Sequence, residues 1–346
     1  MKEQDDMSRS VEILDCTLRD GSYVIDFQFT AEETRVICGA LEDAGLRLIE
    51  VGHGVGMGGS DAGCGQAAAT DEEYVSAAAS VLTKAKFGTF FIPGIGTKEH
   101  LDMARDYGMS FVRIGTNITQ SDEAAPYIEY AKKLGFEVSY NAMKSYVVSP
   151  EEFLERAQKA IDAGADVVYL VDSAGGMLPL EVKQYIELLR EKLTAHIGFH
   201  GHNNFMLANA NNLAALEAGA TMLDSTVQGM GRSSGNAQTE IMVLLYEKLG
   251  IETGVDIVKL MNVGENLIRP RMRTPSGVCA LDMTMAQAQF HSSFLERIER
   301  ATALYDVDPK VLIIEVSKID RVNPSEKMIQ DIAAQLAELK TAGVGQ

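Results

Sequence analysis

The chain of 346 residues, 46% hydrophobic and 23% charged, has the make-up of an ordinary globular protein, with room for one barrel of about 250 residues and a smaller appendage. No run approaches the roughly 20 apolar residues of a membrane-spanning helix, and a formal net charge of -18 argues against nucleic acid or anionic membrane as a partner. Cys16, Cys38, Cys64 and Cys279 are scattered without a CxxC pair, and the opening MKEQDDMSRS lacks a secretory apolar core, so reduced thiols and a cytoplasmic location are expected.

Residues 1–10 read as a polar tail. Short apolar runs then alternate with helical segments: VEILDCTL, LRLIEVG, KFGTFFIPG, SFVRIGT, FEVSYNAM, DVVYLVD, HIGFHGH and TMLDSTV. Between them lie stretches such as TAEETRVICGALEDAG, SPEEFLERAQKAIDAG and MLANANNLAALEAG, apolar at helical spacing and ending in glycine, a favoured helix stop. Eight continuously apolar runs, each followed by a helix, predict an α/β fold of the (β/α)8 TIM-barrel type over 11–250. A doubly wound open sheet is the alternative, but the first run leads into RDGSYVIDFQFT and no G-x-G-x-x-G turn. From 251 to 346 the pattern is mainly helical, clearest in EKMIQDIAAQLAELK, and reads as a C-terminal extension.

Such barrels carry their chemistry where strands end. Arg19 and Asp20 follow the first run, Glu50 and His53 the second, Asn141 and Lys144 the fifth, Asp172 and Ser173 the sixth, and His200, His202 and Asn204 the seventh. Alternation along a strand puts His200 and His202 on one face, and Asp20 can add an oxygen from another strand end. Two imidazoles and a carboxylate are a recurring divalent-metal set, although an isolated H-x-H is more often a core histidine beside a surface one. Arg19 is either a cation for an oxyanion or half of a barrel salt bridge. Lys144 is either a desolvated Schiff-base lysine or a solvated or carboxylate-paired one. The loop GMGRSSGN offers backbone N–H groups for an anion, and the amide oxygen of Asn236 could face the metal. His53 reads as a hydrogen-bonding residue of the second loop; His100 and His196 fall on helix surface and barrel bottom and carry no role.

DCTLRDGSY, IEVGHG, FIPGIG, VDSAGGM, FHGHNN and GMGRSSGNA, in this order, resemble the metal-dependent 4-hydroxy-2-oxovalerate aldolases. These belong to the pyruvate-enolate metallolyase superfamily, with hydroxymethylglutaryl-CoA lyase and isopropylmalate synthase. The resemblance covers about residues 11–335 and implies that Asp20, His200 and His202 bind a divalent ion, Mn2+ first and Mg2+ or Co2+ as substitutes. It further implies that Arg19 stabilises a pyruvate enolate, and that the helical C-terminal region packs against an acylating aldehyde dehydrogenase, as in aromatic hydrocarbon catabolism. Where the family carries a base histidine after RDGS this chain has Tyr23, and where the family carries a tyrosine, in AQFHSSFL, it has His291.

The expected activity is cleavage of a 4-hydroxy-2-oxo acid to pyruvate and an aldehyde, or the reverse condensation, by a homo-oligomer. His291 is the expected base, because a tyrosine near pKa 10 is poorly matched to neutral pH, and activity should rise through roughly pH 6 to 7. Tyr23 would orient the substrate, with Ser173, Asn141 and Asn236 binding it. The rivals are an acyl-CoA-dependent lyase or synthase of the same superfamily, a Schiff-base aldolase built on Lys144, and a barrel retained only for binding. Lyases of the first kind carry a cysteine where this chain has Ser233 and Ser234.

Overall fold

In the computed structural model, which describes residues 11–341, the apolar runs form β1 (Glu12–Asp15), β2 (Leu48–Glu50), β3 (Lys86–Phe91), β4 (Phe111–Asn117), β5 (Glu137–Met143), β6 (Val167–Asp172), β7 (His196–Gly201) and β8 (Met222–Ser225). Each pairs in parallel with the next and β8 returns to β1, closing the expected eight-stranded barrel. The polar tail expected over 1–10 lies outside the described residues.

Helices α1 (Ala31–Asp43), α2 (Asp71–Val81), α3 (Lys98–Asp106), α4 (Ala125–Lys133), α5 (Pro150–Asp162), α6 (Pro179–Lys192), α7 (Ala208–Glu217) and α8 (Thr239–Lys248) cover the barrel. Local chemistry sets their starts. The Thr30 hydroxyl accepts the Glu33 N–H while the Glu33 carboxylate accepts the Thr30 N–H, and Thr70 with Glu73 repeats this box on α2. The glycine ending α1 is obligatory: Gly45 sits at φ 107°, and a Cβ there would come within 2.3 Å of the Gly254 carbonyl. Then come α9 (Ile257–Val263), α10 (Ala280–Ala288), α11 (Leu295–Tyr305), α12 (Pro309–Ile319) and α13 (Glu326–Thr341), the expected helical extension.

Two apolar cores involve the helices, and a third fills the barrel. The larger joins the outward faces of the strands, such as Ile49, Val112, Val138 and Ile197, to the helices, and it includes Leu260, Val263 and Ile268. The smaller, with Met285, Phe290, Phe294, Ile298, Leu312, Val316 and Ile329, lies among α10–α13. No helix of the described residues is long and apolar enough to cross a membrane.

The barrel interior changes character along its axis. Leu14, Leu48, Phe111, Val167, Tyr169 and Met222 plug it. Two residues further along the same strand faces come Cys16, Glu50, Arg113 and Asp224, all buried. The polar layer sits directly beneath the mouth where β7 delivers His200.

Candidate active site

A cavity of about 1240 Å³ opens at the C-terminal mouth of the barrel. Arg19, Asp20, Tyr23, Asn141, Lys144, Ser173, His200, His202 and His291 all line it. One pocket therefore gathers these groups from four strand ends and from the C-terminal region.

Asp20 opens a short turn (Asp20–Ile25) just after β1, His200 lies near the end of β7, and His202 follows it, bridged to Asn236. Asp20, His200 and His202 each offer one ligand atom within 4.8 Å of the others, and all three are buried. His200 Nδ1 lies 2.8 Å from Asp224 Oδ2. With Nδ1–H donating to that carboxylate, Nε2 keeps its lone pair. His202 Nδ1 is buried with no hydrogen-bond partner, an orphan that a metal ion would satisfy. Protonation states agree. Burial pushes the Asp20 carboxyl up, but Arg19, His202, His200 and Arg232 together hold it well below the carboxylate range. Burial, reinforced by Arg232, pushes His202 down to about 3, leaving a neutral imidazole. The donor set thus fits a divalent cation. A second trio, Cys16, His200 and Asp224, is equally close-set, but the Arg113 guanidinium donates to both Cys16 and Asp224 and occupies that place with positive charge.

Arg19 is half of a barrel salt bridge and still keeps a donor unused. Its Nε donates to Glu50 at 2.9 Å and its Nη1 to Asp20 at 2.9 Å, so it is a buried barrel ion pair. Its Nη2 makes no hydrogen bond among the described residues, and the side chain borders the cavity, leaving a donor for a ligand. Asn236 sits behind Asp20 and not at the cavity wall. Its Nδ2 donates to Asp20 Oδ2 at 2.6 Å, and a Cβ at Gly231 would press within 2.4 Å of that nitrogen. The expected substrate contact is therefore a contact to Asp20. Ser173 Oγ accepts the Lys144 N–H at 3.0 Å, and the buried Asn141 Oδ1 has no partner.

Tyr23 and His291 both face the cavity. Between them stands Arg232, which sequence reasoning missed by weighing only the backbone of its loop. Its guanidinium lies 5.1 Å from the Tyr23 ring centre, and its Nη2 is 2.9 Å from His291 Nε2 and 3.4 Å from His202 Nε2. Since arginine only donates, His291 Nε2 accepts, and its lone pair points inward. Burial, with Arg232 and Lys144 adding repulsion, drives His291 well below the usual imidazole value. Burial raises Tyr23, only partly countered by Arg232, so its phenol stays protonated at neutral pH. Within the loop expected to offer N–H groups to an anion, those of Met230, Gly235 and Asn236 are used in its own turns.

Lys144 is neither solvated nor paired to a carboxylate, which corrects that alternative. It is 4% exposed, its Nζ donates to the Val322 carbonyl between α12 and α13, and it lies over Phe294 at 5.0 Å. Burial, then Arg232, lowers it to about 8. His53 does serve its own loop, 3.0 Å from the Gly65 carbonyl and stacked on Phe27 at 4.0 Å.

Comparison with known proteins agrees with this geometry. Residues 10–267 match the HMGL-like family model, and residues 280–338 match that of the DmpG-like communication domain. A 4-hydroxy-2-oxovalerate aldolase of Carboxydothermus hydrogenoformans is 43% identical over 96% of this chain and 99% of its own. One from Moorella thermoacetica is 42% identical over 96% and 98%. Among solved structures, the carboxyl transferase domain of Rhizobium etli pyruvate carboxylase shares the fold, with a TM-score of 0.79 at 15% identity over 96% of this chain and 61% of that one. The chain belongs to the HMGL-like family, in the branch of relatives named 4-hydroxy-2-oxovalerate aldolase, with a DmpG-like communication domain at its C-terminal end.

Proposed function

We propose that the chain is a metal-dependent aldolase that cleaves a 4-hydroxy-2-oxo acid to pyruvate and an aldehyde, or joins the two. The observation that carries this is the meeting of the Asp20, His200 and His202 trio, the Arg19 guanidinium and the inward His291 lone pair in one cavity. Asp20, His200 and His202 hold the ion; mixed nitrogen and oxygen donors suit Mn2+, with Mg2+ or Co2+ as substitutes. When bound, it supplies Lewis-acid stabilisation of negative charge developing on the 2-oxo oxygen.

The chain's own groups do the rest. His291 Nε2 takes the proton of the C4 hydroxyl, displacing Arg232 as its partner. The C4 oxygen becomes the aldehyde carbonyl as the C3–C4 bond breaks, and that bond's electron pair moves into the C2–C3 double bond of the enolate. Arg19 Nη2 donates to the enolate oxygen, its plane fixed by Glu50 and Asp20. The proton that His291 took then passes to C3, directly or through water, which completes pyruvate and restores the neutral base. Tyr23 orients the substrate, Asn141 and Ser173 line its binding wall, and Asn236 holds Asp20 in place.

The communication-domain match supports an acylating aldehyde dehydrogenase as partner of residues 280–338, within a homo-oligomer. The free thiols of Cys16, Cys38, Cys64 and Cys279 fit a cytoplasmic setting, and the relatives' activity fits aromatic hydrocarbon catabolism. The test is to incubate the manganese-loaded protein with pyruvate and a panel of aldehydes and identify adducts by mass. A mass equal to pyruvate plus one aldehyde supports the reading. Absence of any adduct across the panel, with metal bound, refutes it.

A further inference from the structure

Arg113 lies on β4, fully buried inside the barrel, and does not line the cavity. It nevertheless touches the carboxylates behind both Arg19 and His200. Its Nη1 donates to Glu50 Oε2 at 3.0 Å, and its Nη2 to Asp224 Oδ2. Glu50 Oε2 is the same atom that accepts Arg19 Nε, and Asp224 Oδ2 is the same atom that faces His200 Nδ1. A ring of buried ion pairs, with one hydrogen bond at its end, therefore runs Asp20, Arg19, Glu50, Arg113, Asp224, His200, and the ligand atoms of its two ends, His200 and Asp20, lie within 4.8 Å of each other.

The unused atoms show how the ring is held. Glu50 Oε1 and Asp224 Oδ1 are buried without partners, so each carboxylate is anchored through one shared oxygen. Without Arg113, Glu50 would keep only Arg19 and Asp224 only His200 as partner, and the two buried carboxylates would lose the cation between them. Arg113 itself is held by aromatic faces, 4.5 Å from the Tyr169 ring centre and 5.9 Å from that of Phe90; Arg19 lies 4.7 Å from the same Phe90 ring. Only a planar fork presents two nitrogens to carboxylates on two sides; a lysine ammonium is a single point.

We propose that Arg113 is a positioning residue for the reaction, its one guanidinium fixing both the ligand direction of His200, through Asp224, and the donor plane of Arg19, through Glu50. This rests on the proposed roles of His200 and Arg19. Two functions that a ligand would feel separately are thereby set by one buried side chain.

The experiment is a Co2+ titration of full-length Arg113→Lys, read by chelator competition, beside steady-state kinetics at saturating metal. Loss of an outer partner of a metal-binding histidine weakens metal affinity about tenfold to a hundredfold, and the same range is expected here. The rate constant kcat should fall at least about tenfold while KM moves little, because the ground-state pocket wall is intact. A purely structural arginine would lower the melting temperature and leave both readouts of the folded protein unchanged, and that result overturns the proposal. Should Arg113→Lys not fold, Glu50→Gln, Asp224→Asn and their combination decide. The combined loss in kcat should be smaller than the product of the single losses, since both act through Arg113. Independent, multiplying losses overturn the proposal. His200→Ala is the control for the underlying reading: if it keeps its Co2+, the metal assignment fails; if it loses Co2+ while Arg113→Lys is unaltered, only the present inference fails.

Discussion

Replacing His291 separates the two halves of the exchanged pair. The residue lines the cavity with its Nε2 against Arg232 and is only 8% exposed. Removing a general base costs about 10²- to 10⁴-fold in rate, or about 3–5 kcal/mol on the barrier. His291→Ala also removes the Nδ1–H that donates to the Ser293 hydroxyl at 2.6 Å, so His291→Gln, which retains hydrogen-bonding capacity but cannot take a proton, is the control. Both variants should lose about the same rate in a pyruvate-release assay, whereas Tyr23→Phe, which keeps the ring under Arg232, should lose less than about tenfold. The pH profile sharpens this. Burial and Arg232 depress His291 below its ordinary 6.5, so the ring is already neutral, and able to accept a proton, at that pH. Activity should stay level from about pH 8 down through 6.5 and fall only at lower pH, which moves the sequence-based expectation of a rise through pH 6 to 7 downward. The stability sign is the same: with the folded value below the unfolded one, the contribution is complete above about pH 6.5 and is lost as pH falls toward the folded value. Near-normal cleavage by His291→Ala together with collapse of Tyr23→Phe would refute the reasoning and transfer the base role to Tyr23.

The purified protein should hold about one divalent ion per chain by elemental analysis, and His200→Ala or Asp20→Ala should lose it; full occupancy in both would dissolve the assignment. Arg19→Lys keeps the charge but not the fork that spans Glu50, Asp20 and a ligand, so kcat should fall by about two orders of magnitude with metal retained. Borohydride with pyruvate should leave the mass of the protein unchanged, because Lys144 Nζ is committed to the Val322 carbonyl; a reduced adduct on Lys144 would favour the Schiff-base rival.

The fold was legible because eight apolar runs, each terminated by a helix with its own cap and stop, permit few arrangements. The gathering of Asp20, His200 and His202 was legible for a local reason: one-residue spacing puts His200 and His202 on one face, and Asp20 lies in the turn that follows the first strand. Arg113 and Asp224 were not, being single charges inside apolar runs whose partners lie 63 and 24 residues away in sequence, Glu50 and His200 respectively, across a barrel that exists only after closure. Arg232 was hidden because its direction depends on a loop in which Gly231 makes room for Asn236 and Ser233 adopts φ 59°. Lys144 was misjudged for the same kind of reason. Its left-handed φ of 59° turns it toward Val322, 178 residues later.

The most direct measurement is the release of pyruvate and aldehyde from a 4-hydroxy-2-oxo acid by the full-length protein, before and after chelation and again after Mn2+ is restored. Equimolar products, abolished by the chelator and recovered with the metal, are the expected result. Turnover indifferent to chelation, or none from any such acid with the metal bound, would contradict the assignment of Asp20, His200 and His202 to the working site of an aldolase.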